Sequence, residues 1–396
     1  MINLFKKFNT KNILFFIIIT VCLSQLSKFY SFYVEYSEWQ YSDWLINYQA
    51  GFVRRGFIGE ILFQIYSNLN IRLDVLVLIF VFILIIFFTF LLFKSIEIVY
   101  ENHLNILIFL SPGFFLYPLM NSEIVGRKDI LMISVVGFFC FFGNRFKKNY
   151  LLMILISCLV LTILSHSAFI FYSPYLIFLY FLILEQKKIS FNLIDKSIIF
   201  LVIIFLFLLI YFNQGDLNQV VQICNSIKLY VTEKCSKVGQ IAWLASDMDN
   251  YISEKIEIGF NFKKSLIIYF LSFLLVNFFL GLKLLNSKFT LVQNKYLLRY
   301  NPLLIFGLLF LFTIPVYILA LDWGRYIYVS YSCSFFIAIF CYKSKILLST
   351  YNLRFNRYIF ILIIILYSFT LTFPFYNATN FKLVLEKPIK KILKIL

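Results

Sequence analysis

The chain has 396 residues, of which 62% are hydrophobic and only 14% charged, with a mean hydropathy of +0.88. A soluble globular domain carries about 25% charged residues, so a single soluble core is excluded and an all-α polytopic membrane protein is expected. The formal charge of +17 would point to nucleic acid in a soluble chain. Here Lys and Arg clustered in cytoplasmic loops account for it, and no nucleic-acid partner is expected.

The first apolar run, "ILFFIIITVCLSQLSKFY" after "KKFNTK", has the basic flank of a signal peptide. It has no clean small-x-small cleavage site and more spans follow, so it reads as an uncleaved signal-anchor helix. A spanning helix needs about 20 mainly apolar residues. Eleven runs qualify, near 12–29, 73–93, 104–120, 129–143, 150–164, 168–184, 196–212, 265–282, 302–321, 325–342 and 358–374. Residues 1–396 thus read as one integral membrane domain of about eleven transmembrane helices. Residues 213–264 form the single sizeable polar loop, expected to hold short helices packed over the membrane face. Residues 377–396 form a basic amphipathic tail of the kind that lies on an anionic membrane surface.

Orientation follows from loop charge. With the N-terminus cytoplasmic, the inner connections are rich in Lys and Arg and poor in acids. The outer Lys and Arg match them in number only because the long loop and the tail carry many of them. Both segments are translocated despite their charge in this reading. Five cysteines lie in or beside apolar runs and read as small buried hydrophobes. Cys224 and Cys235 share the long loop. They are a possible disulfide if that loop faces an oxidising compartment, and two free thiols otherwise.

With alternating spans, the unusual polar clusters all fall on the outer side. After the first span comes "SDWLINYQAGFVRRGFIGE", with Asp43, Arg54, Arg55 and Glu60. Two adjacent arginines fit a phosphate or pyrophosphate clamp, because Arg binds phosphate bidentately. The bland reading is topogenic Arg or lipid-headgroup contact. Gly51, Gly56 and Gly59 allow close backbone approach to a ligand or a helix. Asp43 is either a general base for an incoming hydroxyl or a loop charge. Its neighbours Trp39 and Trp44 fit an interfacial belt or a sugar-stacking wall.

The second cluster is "NSEIVGRKD", with Glu123, Arg127, Lys128 and Asp129. Glu123 and Arg127 are spaced for an i,i+4 salt bridge, and the same residues suit a phosphate and a sugar hydroxyl. The third is "SHS" around His166, a structural histidine or an acid/base and phosphate contact. The fourth is "LDWGRY", where Asp322 and Arg325 form an i,i+3 ion pair or a second anion contact. No zinc spacing, Walker loop, dinucleotide fingerprint or nucleophile elbow occurs, so no metal site and no cofactor are expected.

The stretch "DWLINYQAGFVRRGFIGE" after a first membrane helix, with "GRKD" and "DWGR" as companions, resembles bacterial O-antigen and capsule repeat-unit polymerases. The resemblance covers these short motifs and the hydropathy, and the long loop lacks the dense Arg motif of some such polymerases. It implies an undecaprenyl-pyrophosphate-linked oligosaccharide substrate, handled at the periplasmic face of the bacterial inner membrane. The enzyme would join repeat units and release undecaprenyl pyrophosphate. Such proteins are similar to the multispan C-type glycosyltransferases, whose first outer loop carries an Asp; Asp43 matches it by position. By the same resemblance, Arg54, Arg55, Arg127 and Arg325 would hold pyrophosphate, with Lys128 beside them. Asp43 and then His166 would serve as base, and Glu60, Glu123, Asp129 and Asp322 as supporting acids. Membrane lipids, a chain-length regulator and a flippase are the implied partners. Two alternatives stand beside this reading. One is a C-type transferase using a polyprenyl-phosphate donor, where a divalent metal becomes possible. The other is a flippase or transporter of lipid-linked glycan.

Overall fold

A computed structural model describes residues 10–100, 102–245, 262–290, 299–320, 322–349, 355–370, 373 and 375. The basic tail, 377–396, and part of the long loop, 246–261, lie outside the described residues. The chain is an all-α polytopic membrane protein. Among the described residues, eight helical segments are long and apolar enough to cross a membrane.

In chain order the helices are α1 Thr10–Val34, α2 Phe57–Leu69, α3 Leu73–Val99, α4 His103–Phe109, α5 Tyr117–Met120, α6 Asp129–Phe142 and α7 Lys148–Ser165. There follow α8 Ser173–Gln186, α9 Leu193–Phe212, α10 Leu217–Ser226, α11 Phe262–Leu285, α12 Pro302–Leu311, α13 Ile314–Leu319, α14 Trp323–Lys343 and α15 Arg357–Ile364. One strand pair among the described residues, β1 Ser287–Phe289 with β2 Leu347–Ser349, is antiparallel.

Helix α14 is the axis of the bundle, with α6, α8 and α11 packed around it. It is wholly buried and also the least apolar of the eight spans. The two facts have one cause. A helix away from lipid need not be greasy, and the small and hydroxyl residues of "SYSCS" let neighbouring helices approach closely. Helix α9 is the opposite case. Its Phe200, Leu201, Phe205 and Phe212 are exposed, as a lipid-facing surface requires.

Three of the eleven runs, 104–120, 129–143 and 358–374, form no helix counted among the eight spans. The run 104–120 breaks after α4 because Pro112 removes a backbone donor. Gly113 lies so close to Val276 of α11 that a Cβ would sit 2.3 Å from its Cγ1. Ser111 Oγ donates to Val276 O at 3.0 Å. This irregular backbone is buried inside protein, where membrane depth tolerates it. Helix α6 has 14 residues, about 21 Å, and is buried along nearly its whole length, so it does not need to match the bilayer. The last run forms α15 and then a π turn over Ile365–Thr370.

The bundle has two polar ends. At one end Lys148 pairs with Asp195 at 2.9 Å, and β1 pairs with β2. At the other, the segment before α2 meets the starts of α6 and α14. The loop after α9 lies over this second end. Its helix α10 opens with a capping box between Asp216 and Gln219. Cys224 and Cys235 are joined by a disulfide. Thr232 Oγ1 donates to Glu38 Oε1 at 2.9 Å, and Gln240 N donates to Glu38 O at 2.9 Å, which straps the loop to the end of α1.

Candidate functional site

The segment after α1 builds the floor of this end. Residues Ser42–Leu45 make a buried 3-10 turn. Trp44 Nε1 donates to Gly126 O at 2.6 Å, which docks the turn on the loop before α6. Gly59 packs under it; a Cβ there would lie 1.9 Å from Ile46 O. A Cβ on Gly56 would likewise strike the Tyr48 ring. These glycines therefore serve the packing of the chain on itself, not the approach of a ligand.

The four polar clusters of the sequence converge here. Lys128 Nζ lies 3.3 Å from Asp43 Oδ1 and donates to Arg55 O at 2.9 Å. Arg325 Nε donates to Asp129 Oδ2 at 2.7 Å, and its Nη1 lies 3.3 Å from Asp322 Oδ2. Arg325 Nη2 is 2.9 Å from His166 Nε2. An arginine only donates, so Nε2 accepts and the ring is neutral. Burial first, and then Arg55 and Arg325, hold the His166 imidazole well below its usual range. Arg127 stacks 4.8 Å from the Phe375 ring centroid and lies 3.8 Å from Asp322.

Several residues differ from the roles expected of them. Glu123 is exposed and its side chain makes no salt bridge with Arg127; the arginine Nε donates instead to the Glu123 backbone oxygen at 3.0 Å. Half-buried Glu60 stands apart from the cluster. It accepts from Tyr48 N at 2.8 Å and from Gln64 Nε2 at 2.6 Å, which ties α2 to the preceding loop. Asp43 and His166 are each 1% exposed and neither lines the cavity that Arg54 and Arg55 border. Lys128, at 0%, does not either.

Arg54 and Arg55 do. Both line a cavity of about 470 Å³ between the end of α9, α13 and the start of α14. Phe171, Phe207, Ile210 and Leu319 give it apolar walls, and Ser167, Gln214 and Tyr326 add polar atoms. Arg55 Nη1 donates to Gln240 Oε1 at 2.8 Å, and Arg54 Nη2 to Trp243 O at 3.2 Å. Gln214, Gln240 and Trp243 lie outside the clusters the sequence marks, and Ser167 and Tyr326 stand within "SHS" and "LDWGRY" without a role of their own there. A neutral side chain far along the chain gives no local signal.

Charge separates the two sets of residues. Arg127, Lys128 and Arg325 face Asp43, Asp129 and Asp322 in ion pairs. Among the described residues no carboxylate lies within ion-pair distance of Arg54 or Arg55. Burial, and then Arg55 beside it, draw the Arg54 guanidinium down to about 10. Burial also lowers Arg55, against the pull of Asp43. Among the described residues, neither charge has a carboxylate in contact, although Asp43 and Asp322 attract Arg55 from farther off, and both stand at the wall of an apolar cavity, an environment that favours an anion.

Fold and site together define a polytopic helical membrane protein with a neutralised charge network behind a cation-lined cavity at one end. Comparison with protein families, curated proteins and solved structures finds no match for this chain.

Proposed function

We propose that the protein is a membrane glycosyltransferase that polymerises lipid-linked oligosaccharide repeat units, with Arg54 and Arg55 holding the pyrophosphate of the substrate. The observation that carries this reading is a pair of guanidinium groups on an apolar cavity that meet no carboxylate among the described residues. A polyprenyl-pyrophosphate-linked sugar has the matching chemistry, an anion joined to a greasy chain. In the reaction a sugar hydroxyl attacks the anomeric carbon and the bond from that carbon to the pyrophosphate oxygen breaks. The hydroxyl proton passes to water or to the departing pyrophosphate, and polyprenyl pyrophosphate leaves. Charge grows on the leaving oxygen, and preorganised arginines in a water-poor site stabilise it. Asp43 and His166, the expected bases, stand behind the wall, so the arginines rather than a base support the reading. Nothing in the step calls for a cofactor.

The proposed setting is a bacterial inner membrane with the cavity end periplasmic. The Cys224–Cys235 disulfide at that end supports it, since disulfides persist in oxidising compartments. Transport is the weaker reading. A transporter binds near mid-membrane, whereas the ion-paired groups here sit at helix ends.

The test is gel analysis of surface polysaccharide in a deletion strain. Single-repeat caps are expected, and the same pattern from Arg54→Ala and Arg55→Ala proteins that still insert. A truncated repeat unit would replace polymerisation by single-sugar transfer from a polyprenyl-phosphate donor. Normal chain length in both mutants would sink the clamp.

A further inference from the structure

We propose that Lys128 is a positioning residue that holds the Arg55 turn in its cavity-facing form, rather than a ligand of the anion. The inference rests on reading the cavity as an anion site. Arg55 is a non-glycine residue with φ +72°, a left-handed backbone that an L side chain adopts at a cost. Such a turn persists only where its surroundings over-determine it. Lys128 supplies that surrounding. Its Nζ donates to the Arg55 carbonyl oxygen at 2.9 Å, and the Asp43 carboxylate lies 3.3 Å behind it. The Trp44 ring centroid lies 5.8 Å away and closes the site. Asp43 thereby acquires a role without touching substrate. It keeps the ammonium charged and aimed.

Arg54 is the internal control. Its backbone N–H donates to Asn213 O at 2.9 Å and its guanidinium to the Trp243 carbonyl. None of these contacts involves Lys128. Removing the ammonium should therefore release Arg55 and spare Arg54.

The charges facing Lys128 are Asp43 from the 3-10 turn, Arg55 from the turn before α2, Arg325 from α14 and neutral His166 between α7 and α8. Burial lowers the ammonium to about 8; Asp43 opposes that shift, whereas Arg55 and Arg325 add to it. The brace is then charged at pH 7 and lost as pH rises through about 8.

The experiment measures inorganic pyrophosphate binding to the full chain in nanodiscs. Lys128→Met should weaken it about tenfold, the scale of one charge-assisted hydrogen bond. The same change in an Arg55→Ala background should do nothing further, and in an Arg54→Ala background it should cost its full factor. Wild-type affinity should fall above pH 8, and Lys128→Arg should move that fall upward. Equal losses in all three backgrounds would make Lys128 a general structural residue and overturn the proposal. A second readout needs no ligand. In Arg55→Cys protein, labelling by an anionic methanethiosulfonate should slow at least tenfold when Lys128→Met is added. Unchanged labelling overturns the brace. Absent pyrophosphate binding with slowed labelling would instead retire the anion site and keep the brace.

Discussion

Arg54 and Arg55 share one end of the bundle with Arg127 and Arg325, yet the two pairs meet different surroundings. Arg325 is 2% exposed and held by Asp129, Asp322 and His166, so its charge is used up inside the protein. Arg54 and Arg55 are half-buried, donate to neutral acceptors among the described residues and line a cavity. The same residue type thus does two jobs a short distance apart. A guanidinium with a carboxylate partner ties helices together. One with no carboxylate in contact among the described residues, set in a desolvated wall, favours an anion. Partner chemistry, not residue identity, separates structure from candidate function here.

Arg325 carries the largest expected effect. Replacing it with Met leaves Asp129 buried and unpaired, which should destabilise the fold by about 3–5 kcal/mol. Thermal unfolding in detergent checks this, and Arg325→Met combined with Asp129→Leu should recover much of the loss. Next comes the disulfide. It closes a short loop, with a sequence separation of 11. Changing both cysteines to Ser should cost about 3 kcal/mol in the strap. The strap carries Gln240 and Trp243, so pyrophosphate binding should weaken while the Arg325 network stays intact. Binding titrations beside unfolding curves separate the two effects. Smaller again is the direct change. Arg54→Ala or Arg55→Ala should each lose about 1.5–3 kcal/mol of anion binding with little change in unfolding temperature. A large fall in stability with unchanged binding would erase the distinction between the pairs.

Much of this architecture was legible in the sequence. Apolar runs marked the spans, and alternation along them placed the four polar clusters at one end, where the contacts Asp43–Lys128 and Asp129–Arg325 now join them. Hydropathy shows 104–120 as one span because it does not register the break that Pro112 and Gly113 impose inside an apolar stretch. Helix α14 shows the converse. Its modest hydropathy reflects burial in protein, not weak membrane character. Within the site, local spacing suggested Glu123 with Arg127, but the strong pairs span 85 and 196 positions. Spacing rules see only neighbours on one helix. Gln240 and Trp243 carry no charge, so nothing in the sequence joined them to Arg54 and Arg55.

The smallest effect concerns His166, which belongs to the neutralised set. Its imidazole is buried and neutral, with Nε2 accepting from Arg325. Its folded pKa lies below 6.5, so the folded state binds fewer protons than the unfolded state in that range. Stability is therefore present in full above pH 6.5 and falls as pH drops below it. The loss should approach about 1.4 kcal/mol per pH unit. His166→Gln retains an acceptor for Arg325 and cannot titrate, so its unfolding temperature should be flatter between pH 6.5 and 5.5. A catalytic base at this position would behave differently, because its replacement would remove polysaccharide chain growth at every pH. His166→Gln protein that keeps long chains while losing the acid-sensitive limb places the histidine with Arg325. Loss of chains at unchanged stability returns it to the cavity chemistry.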